Sequence, residues 1–187
     1  MTLATALPVV ISQSSDWLDP NYIRPDRLVD LLVLPSLSLL VVDYRGPLEL
    51  MPGTIRQLIG QRRLLHLHPD ISRTFNLMYY PAPGVEGDWH IGIAASIPES
   101  HKAELYATTL PDGFRLHLLG SGEYARVRIQ GGEAGLGVAL NWLINDWLPA
   151  SGYEPGEGIC LFERVQFPPF VEPENALVDI LVPVEPR

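Results

Sequence analysis

Glu163 is the residue best placed to do chemistry, because it interrupts an apolar run, Ile159-Cys160-Leu161-Phe162-Glu163-Arg164-Val165. The run predicts a β-strand, in which alternate residues share a face, so Glu163 lies on the face of Leu161 and Val165. Burying a carboxylate on an apolar face without a partner is costly. Either this face is solvated, or Arg164 or another donor pairs with Glu163, or the carboxylate accepts a cationic ligand.

The helix before this strand carries a tryptophan outside its apolar stripe. Five apolar residues recur at steps of three and four, which predicts a helix lying on a sheet. They are Leu136, Leu140, Leu143, Ile144 and Trp147. Trp142 projects to nearly the opposite side of the helix, beside Gly135 and Val138. A ligand groove, a partner surface or another part of the chain is expected to cover Trp142.

Composition and charge exclude several classes of protein. The 187 residues, 47% of them hydrophobic, suffice for one domain or two small modules with a core. The net charge of −9 disfavours nucleic acid as a direct partner. Neither a membrane span nor a secretory leader is recognisable, so the cytosol is the expected location. The single cysteine, Cys160, excludes an internal disulfide and a cysteine-rich zinc site.

Turn residues divide the chain into short elements. Residues 1–36 are predicted to be an extension packed on the main body, with one short helix at 25–32. Strands are predicted at 37–45, 75–80, 89–97, 106–110, 114–119, 124–130, 159–165 and 176–184, and helices at 52–65 and 136–148. The segments 106–110 and 114–119 are expected to form a hairpin across residues 111–113.

A common offset indicates an internal duplication. Gly131 follows Gly46 by 85 residues, and the same offset separates Leu143 from Leu58 and Pro183 from Pro98. Chance recurrence of common apolar residues is the alternative. We therefore predict an α+β fold of tandem duplicated β-α-β-β modules, at about 37–100 and 120–187. The modules are expected to have pseudo-twofold symmetry, antiparallel sheets and a groove between them, where ligands preferentially bind.

Several runs in the second half of the chain resemble the GyrI-like small-molecule-binding domain. They are Tyr124–Val127, Gly131-Gly132, Leu143–Asp146, the run WLPASGYE at Trp147–Glu154, Phe162-Glu163 and the closing run VDILVP at Val178–Pro183. The same domain is the effector-binding part of some AraC-type and MerR-type regulators. The resemblance covers roughly Ser36 to the end of the chain, and it implies two β-α-β-β modules around a groove.

The resemblance implies binding of amphipathic, cationic aromatic molecules in an acidic, aromatic-lined groove, without metal or cofactor. The implied ligand-binding residues are Glu163, Trp142, Trp89, Tyr79, Tyr80, Tyr44 and Val138. Some relatives hydrolyse cyclopropane-bearing toxins, and in that alternative Glu163 is also catalytic. A third alternative is a protein-interaction module or one half of a transcription regulator, and a homodimer is compatible with each alternative.

Two departures from the family pattern are visible. No DNA-binding helix-turn-helix is recognisable before the domain, and Met78 stands where the offset places the counterpart of Glu163. Only one carboxylate is therefore expected at this pair of positions. Packing in the core is the alternative role of Trp142, Trp89, Tyr79 and Tyr80. His66 and His68 predict a solvated helix end rather than a metal site.

Overall fold

The computed structural model of the protein describes residues 29–80, 89–131 and 135–187. Most of the predicted extension (residues 1–28) and the predicted Pro/Gly turn at 81–88 lie outside the described residues. The described chain divides into two compact units. The N unit comprises Pro35–Ser121 and Leu161–Arg164, and the C unit comprises residues 29–34, Gly122–Cys160 and Val165–Arg187.

The described residues form strands and helices in the following chain order. The strands are β1 (Val29–Leu34), β2 (Leu37–Gly46), β3 (Thr74–Tyr80), β4 (Trp89–Ser96), β5 (Phe114–Leu119), β6 (Gly122–Gln130), β7 (Tyr153–Pro155), β8 (Cys160–Gln166) and β9 (Leu177–Pro186). The helices are α1 (Pro52–Leu64), α2 (Glu99–Ala107), α3 (Leu136–Trp142) and α4 (Leu148–Ala150), with a π-helical segment at Leu143–Trp147 and 3-10 turns at Leu48–Leu50 and Pro173–Asn175.

In the N unit, the strand order is β8-β3-β4-β2-β5, and β2 pairs antiparallel with both β4 and β5. Helix α1 begins at Pro52, where a missing backbone N–H costs nothing. Its Leu58 packs with alternate residues of two strands, which form one buried side of the sheet. These residues are Leu40, Val42, Tyr44, Ile91, Ile93 and Ala95. The intervening residues of β2, β4 and β5 face the opposite side.

In the C unit, β6 pairs antiparallel with β1 on one edge and with β9 on the other, and β7 pairs with β9. The helical stretch 136–150 buries Leu136, Leu140 and Leu143. A Cβ at Gly135 would meet the side chain of Ile129, which places Ile129 on the helix side of β6. Arg126 and Arg128 therefore point to the side of the sheet away from the helices.

Two outer strands pair with a strand other than the one that directly follows them in the chain. Strand β1 precedes β2 by two residues yet pairs with β6 of the C unit, and β5 precedes β6 by two residues yet pairs with β2 of the N unit. The two pairings have the same register at the 85-residue offset. Val29 lies opposite Val127 in one, and Phe114 lies opposite Val42 in the other.

Glycines stand at the ends of β2 and β6. Gly46 is the last residue of β2 and has a φ of 137°, and Gly131 directly follows β6 with a φ of 88°. A side chain would be strained at these φ values, which explains why glycine stands at both positions. The turn into each helix therefore begins at a position that only glycine occupies without strain.

Three predictions about local structure are wrong. The segment 106–110 is not a strand, because Glu99–Ala107 forms helix α2 with Leu105 as its buried residue. No hairpin across 111–113 forms, because β5 pairs with β2. Residues 29–32, predicted to be helical, belong to β1, so the extension predicted at 1–36 includes a strand of the sheet. Prediction took the turn residues Pro111, Asp112 and Gly113 as a hairpin signal, although they only end a connection.

Candidate functional site

Glu163 already holds a cation, the guanidinium of Arg73. Arg73 Nε and Nη2 each donate a hydrogen bond of 2.7 Å, to Glu163 Oε1 and Oε2 respectively. The same guanidinium lies 5.0 Å from the centre of the Phe75 ring. The Glu163 side chain is 14% exposed and that of Arg73 is 41% exposed. A planar cation therefore lies against both a carboxylate and an aromatic ring, at a place that solvent reaches from the arginine side.

Arg164, the other donor considered for Glu163, points elsewhere. Its Nε donates to Asn76 Oδ1 at 2.8 Å, on the neighbouring strand β3. Of the alternatives left open for Glu163, the structure shows pairing with a donor other than Arg164. Arg73 stands 90 residues before Glu163 in the chain, so no local pattern indicates this pair.

The predicted aromatic residues of the N unit lie on both sides of its sheet. Tyr44 and Trp89 pack on the α1 side, and the Tyr44 hydroxyl donates to the carbonyl of Pro47. Tyr79 lies on the opposite side, because its ring covers the position that a Cβ of Gly92 would occupy. Tyr80 pairs with His90 through the backbone, and its side chain is outside the described residues. A single ligand surface on this sheet cannot include Tyr44, Trp89 and Tyr79 together.

The two predicted residues of the C unit lie on α3. Trp142 is 9% exposed and Val138 is half-buried. Trp142 is thus covered, as its position outside the apolar stripe required. Trp147 stacks on Tyr153 at 6.5 Å between ring centres, which agrees with the structural role expected of it. No contact on the described residues assigns a ligand to Trp142 or Val138.

Prediction missed a polar cluster on the side of the N-unit sheet away from α1. Arg115 donates two hydrogen bonds to the Asp43 carboxylate, at 2.8 and 3.2 Å, and Arg115 Nη2 donates to the Tyr79 hydroxyl at 2.7 Å. His90 Nε2 lies 3.7 Å from Asp43 Oδ1, and its ring lies 4.6 Å from the Tyr79 ring. Each residue is a polar side chain in an otherwise apolar strand, and that signal was used only for Glu163.

The charges of this cluster balance. Burial alone would raise the pKa of Asp43, but the hydrogen bonds and charge of Arg115 hold that pKa below its ordinary value. The pKa of Arg115 is raised, chiefly by its bonds to Asp43. Burial, aided by the charge of Arg45, lowers the pKa of His90, so this imidazole is neutral at pH 7. Burial raises the pKa of Tyr79, which stays a phenol.

The C unit has a more buried polar cluster on the equivalent side of its own sheet. Asp179 is 2% exposed and accepts hydrogen bonds of 2.6 and 2.7 Å from Arg128. Arg126 Nη1 lies 3.6 Å from Asp179, and Arg126 Nη2 donates to Asp30 on β1. Within the described residues, Arg126 Nε is buried without a hydrogen-bond partner. The carboxylates of Asp30 and Asp179 both have arginine partners.

The remaining side chains considered at the sequence level offer no other chemistry. Across residues 29–80, 89–131 and 135–187, no three His, Cys, Asp or Glu side chains converge as metal ligands. Burial raises the pKa of the Cys160 thiol to about 12, so it is not a reactive thiolate at neutral pH. No helix in the described part of the chain is long and apolar enough to span a membrane.

Comparison with known families decides what kind of domain this is. Residues 29–185 match the model of the GyrI-like small molecule binding domain. The chain belongs to the GyrI-like family. The resemblance found in the sequence motifs is therefore confirmed, and the protein is a small-molecule-binding domain. A comparison with curated protein sequences found no match.

Solved structures share the GyrI-like fold at low sequence identity. The EcmrR C-terminal domain superposes with a TM-score of 0.69 at 13% identity, covering 85% of this chain and 98% of that one. A hydrolase from Listeria innocua gives 0.60 at 14%, covering 86% and 93%. SAV2435 bound to tetraphenylphosphonium gives 0.53 at 14%, covering 84% and 93%.

The chain spans only part of one of these relatives. In the EcmrR–DNA complex, the match covers 57% of the EcmrR chain, with the same TM-score of 0.69 and 13% identity. These likenesses concern the fold of the domain.

Proposed function

We propose that this GyrI-like domain binds amphipathic, cationic aromatic molecules, with Glu163 as the carboxylate that receives the positive charge. The observation that carries the proposal is the arrangement around Arg73. A planar, delocalised cation lies between a carboxylate at 2.7 Å and an aromatic ring centre at 5.0 Å. These are the two partners that a planar organic cation needs in a partly desolvated site.

In this proposal, Arg73 is a resident substitute for the ligand. The Arg73 side chain is 41% exposed, so it can leave for water, whereas Glu163 at 14% exposure cannot. Because the Arg73 side chain is 41% exposed, water can solvate the guanidinium once it has left Glu163, which offsets part of the lost ion pair. A ligand that brings a larger aromatic cation to Glu163 and Phe75 replaces both the charge and the ring contact of Arg73.

Two further facts support a cationic ligand. The chain has a net charge of −9, which attracts cations over a distance of about one Debye length. SAV2435, which shares the fold, is described as bound to tetraphenylphosphonium. That compound is a lipophilic cation, so it is a suitable first probe for this chain.

Opposite substitutions at the ion pair test the proposal. Glu163→Gln is nearly isosteric and should weaken tetraphenylphosphonium binding by about 1–3 kcal/mol, the range for losing a charged hydrogen-bond partner. Arg73→Gln removes the competing cation and should strengthen binding of the same probe. Titration calorimetry with each variant gives both values. Glu172→Gln, at an exposed carboxylate, is the control for net charge alone.

The signs of the two effects carry the test. If Glu163→Gln and Arg73→Gln both leave the affinity unchanged, Glu163 is a structural ion-pair residue and the ligand binds elsewhere. If Glu172→Gln weakens binding as much as Glu163→Gln, the effect is one of overall charge. Equal affinity for a neutral analogue, tetraphenylmethane, would exclude charge recognition altogether.

We propose as well that the two units derive from one duplicated module. The register shared by the β1–β6 and β2–β5 pairings at the 85-residue offset supports this origin. The positive φ of both Gly46 and Gly131 supports it too. An experimental structure tests it by superposition of 29–80 on 114–165 residue by residue, omitting the undescribed positions. A best superposition at another offset would end the proposal.

A further inference from the structure

The hydroxyl of Tyr79 is a hydrogen-bond donor in the polar cluster of the N unit. The Tyr79 oxygen accepts a hydrogen bond from Arg115 Nη2 at 2.7 Å. Because that lone pair is occupied by a cationic donor, the hydroxyl hydrogen must point in another direction. In the described part of the chain, no side chain or backbone oxygen is recorded as accepting it. Among residues 29–80, 89–131 and 135–187, the Tyr79 hydroxyl is therefore a donor without an acceptor.

The position of this donor is fixed by the backbone. The β3–β4 register shifts between Met78 and Tyr80, so the pairing of the strands is irregular at Tyr79. A Cβ on Gly92 would lie 3.0 Å from the Tyr79 ring and 3.1 Å from its hydroxyl oxygen. Only glycine at position 92 leaves room for the ring in this place. The phenol ring therefore lies against the backbone of β4 at Gly92.

The neighbours of Tyr79 determine what such a donor recognises. Asp43 is satisfied by Arg115, and the pair is electrically neutral. His90 is neutral at pH 7 and packs against the phenol ring. Arg45, whose charge acts on both Asp43 and His90, is exposed, so water screens it. The Asp43 and Arg115 side chains are about one third exposed. A half-open site whose central ion pair is neutral and which holds one oriented donor matches an uncharged oxygen acceptor.

We propose that Tyr79 donates a hydrogen bond to an uncharged carbonyl or ether oxygen of the bound small molecule. Asp43 and Arg115 act as positioning residues, since they hold the phenol oxygen and so direct its hydrogen. This inference rests on the small-molecule binding of the family and goes beyond the cation site at Glu163. It adds an acceptor oxygen to the ligand class.

Matched probe pairs test the role of Tyr79. Tetramethylrhodamine methyl ester and tetramethylrosamine are cations that differ in an ester group, and benzophenone and diphenylmethane are neutral molecules that differ in a carbonyl group. Tyr79→Phe keeps the ring on Gly92 and removes the donor. It should weaken binding of the member that carries the ester or carbonyl group by about fivefold, the worth of one neutral hydrogen bond. The member without that group should change by less than about twofold, since the ring oxygen of the two dyes is common to both.

Two further variants separate position from packing. Arg115→Lys keeps the charge but loses the guanidinium geometry. Alone, Arg115→Lys should weaken binding of the probe that carries the ester or carbonyl group. Combined with Tyr79→Phe, it should weaken that binding no further than Tyr79→Phe does alone. Tyr106→Phe, at an exposed tyrosine of α2, should change no probe. Melting curves of each variant establish that it is folded.

The outcomes are distinguishable. If Tyr79→Phe weakens both members of a pair equally, Tyr79 is a packing contact and the inference is overturned. If it weakens neither member of a pair that the wild type binds, the ligand does not reach Tyr79. If the wild type binds neither cation, and Tyr79→Phe still weakens binding of benzophenone, the cation proposal is overturned and the Tyr79 donor is retained. Failure of the wild type to bind all four probes overturns both.

Discussion

The polar clusters of the two units occupy corresponding places and differ in how completely they are closed. In both units the cluster lies on the side of the sheet away from the helices. The edge strand contributes an acid in the C unit, Asp30, and a base at the corresponding position in the N unit, Arg115. In the C unit the central carboxylate, Asp179, is 2% exposed, whereas Asp43 in the N unit is 31% exposed.

The difference indicates which unit is available for recognition. By register, Asp179 lies opposite Arg128 of β6, and the corresponding position opposite Asp43 of β2 is Gly92. A buried ion pair fills the site in the C unit, and a glycine makes room for the Tyr79 ring in the N unit. One cluster is used for structure, and the other keeps a hydrogen-bond donor at a partly exposed position.

The largest expected effect comes from breaking the closed cluster. Asp179→Asn leaves Arg128 and Arg126 without their shared buried charge, so it should destabilise the fold by about 3–5 kcal/mol. Asp43→Asn removes a partly exposed charge, so its cost should be about 1 kcal/mol or less. Urea unfolding of both variants measures the difference. Similar costs would mean that the two clusters are not distinguished by burial.

The equivalent helix residues should give a smaller and matched effect. Leu58 on α1 and Leu143 in the π-helical segment are both buried, at 3% and 1% exposure. Replacing either with alanine should cost about 2–5 kcal/mol, from lost burial and the cavity left behind. Chemical denaturation of the two variants compares the units directly. A cost for Leu143→Ala well below that for Leu58→Ala would show that the π-helical segment is loosely packed.

A side chain at Gly92, where the Tyr79 ring lies, should destabilise the fold less than a cavity in the core does. A Cβ at Gly92 meets both the Tyr79 ring and Val41 Cγ1 at 3.0–3.1 Å, so Gly92→Ala should destabilise by about 1–3 kcal/mol through overpacking. Gly137→Ala is the matched control, since no atom lies within 4 Å and alanine favours a helix. It should leave stability equal or raised by up to about 1 kcal/mol. Destabilisation by Gly137→Ala, or none by Gly92→Ala, would contradict the two environments.

The smallest effect expected is a pH dependence confined to the N unit. All five histidines fall between positions 66 and 117. Burial lowers the pKa of His90 and of His117; Arg45 adds to this at His90 and Arg115 at His117, while Asp43 opposes it at both. Because the folded pKa is below 6.5, the unfolded chain takes up protons first as the pH falls. Stability is therefore full above about pH 6.5 and is lost on acidification toward the folded pKa.

Melting curves between pH 8 and pH 5 measure this loss. Replacing His90 and His117 with asparagine should flatten the decline in that window and leave the pH dependence above pH 7 unchanged. An unchanged decline in the double variant would assign the pH dependence to other groups. The Asp43 carboxyl does not contribute in this window, since its pKa is lowered from an ordinary value near 4.

Local patterns predicted most of the fold, and long-range pairing explains the rest. Alternation and turn residues identified β2, β3, β4, β5, β6, β8 and β9, whose boundaries shift by at most a few residues. Helix α2 was not predicted, because only Leu105 of its nine residues is buried and the helix therefore has no apolar stripe. Strand β1 was not predicted, because its partner β6 lies almost 100 residues away in the chain.

The candidate site was predicted by residue type and not by arrangement. Glu163 was singled out because a carboxylate interrupts an apolar strand, and the structure shows it partly buried and paired. Its partner Arg73 could not be deduced, since nothing local connects positions 90 residues apart. The same interruption occurs at Asp43, His90 and Arg115, but only a known register shows that these side chains meet.

The long-range pairing of β1 with β6 bears on how the chain can be divided. Cutting the backbone between Ser121 and Gly122 would leave β1 on one fragment and its partner β6 on the other. Neither fragment would hold a complete C unit, whereas β2 and β5 would stay together. The two fragments should therefore assemble when mixed and fold poorly alone. In the proposed duplication, β1 of the first copy corresponds to β5 of the second. Because β1 pairs with β6 and β5 pairs with β2, each copy would supply the edge strand of the other.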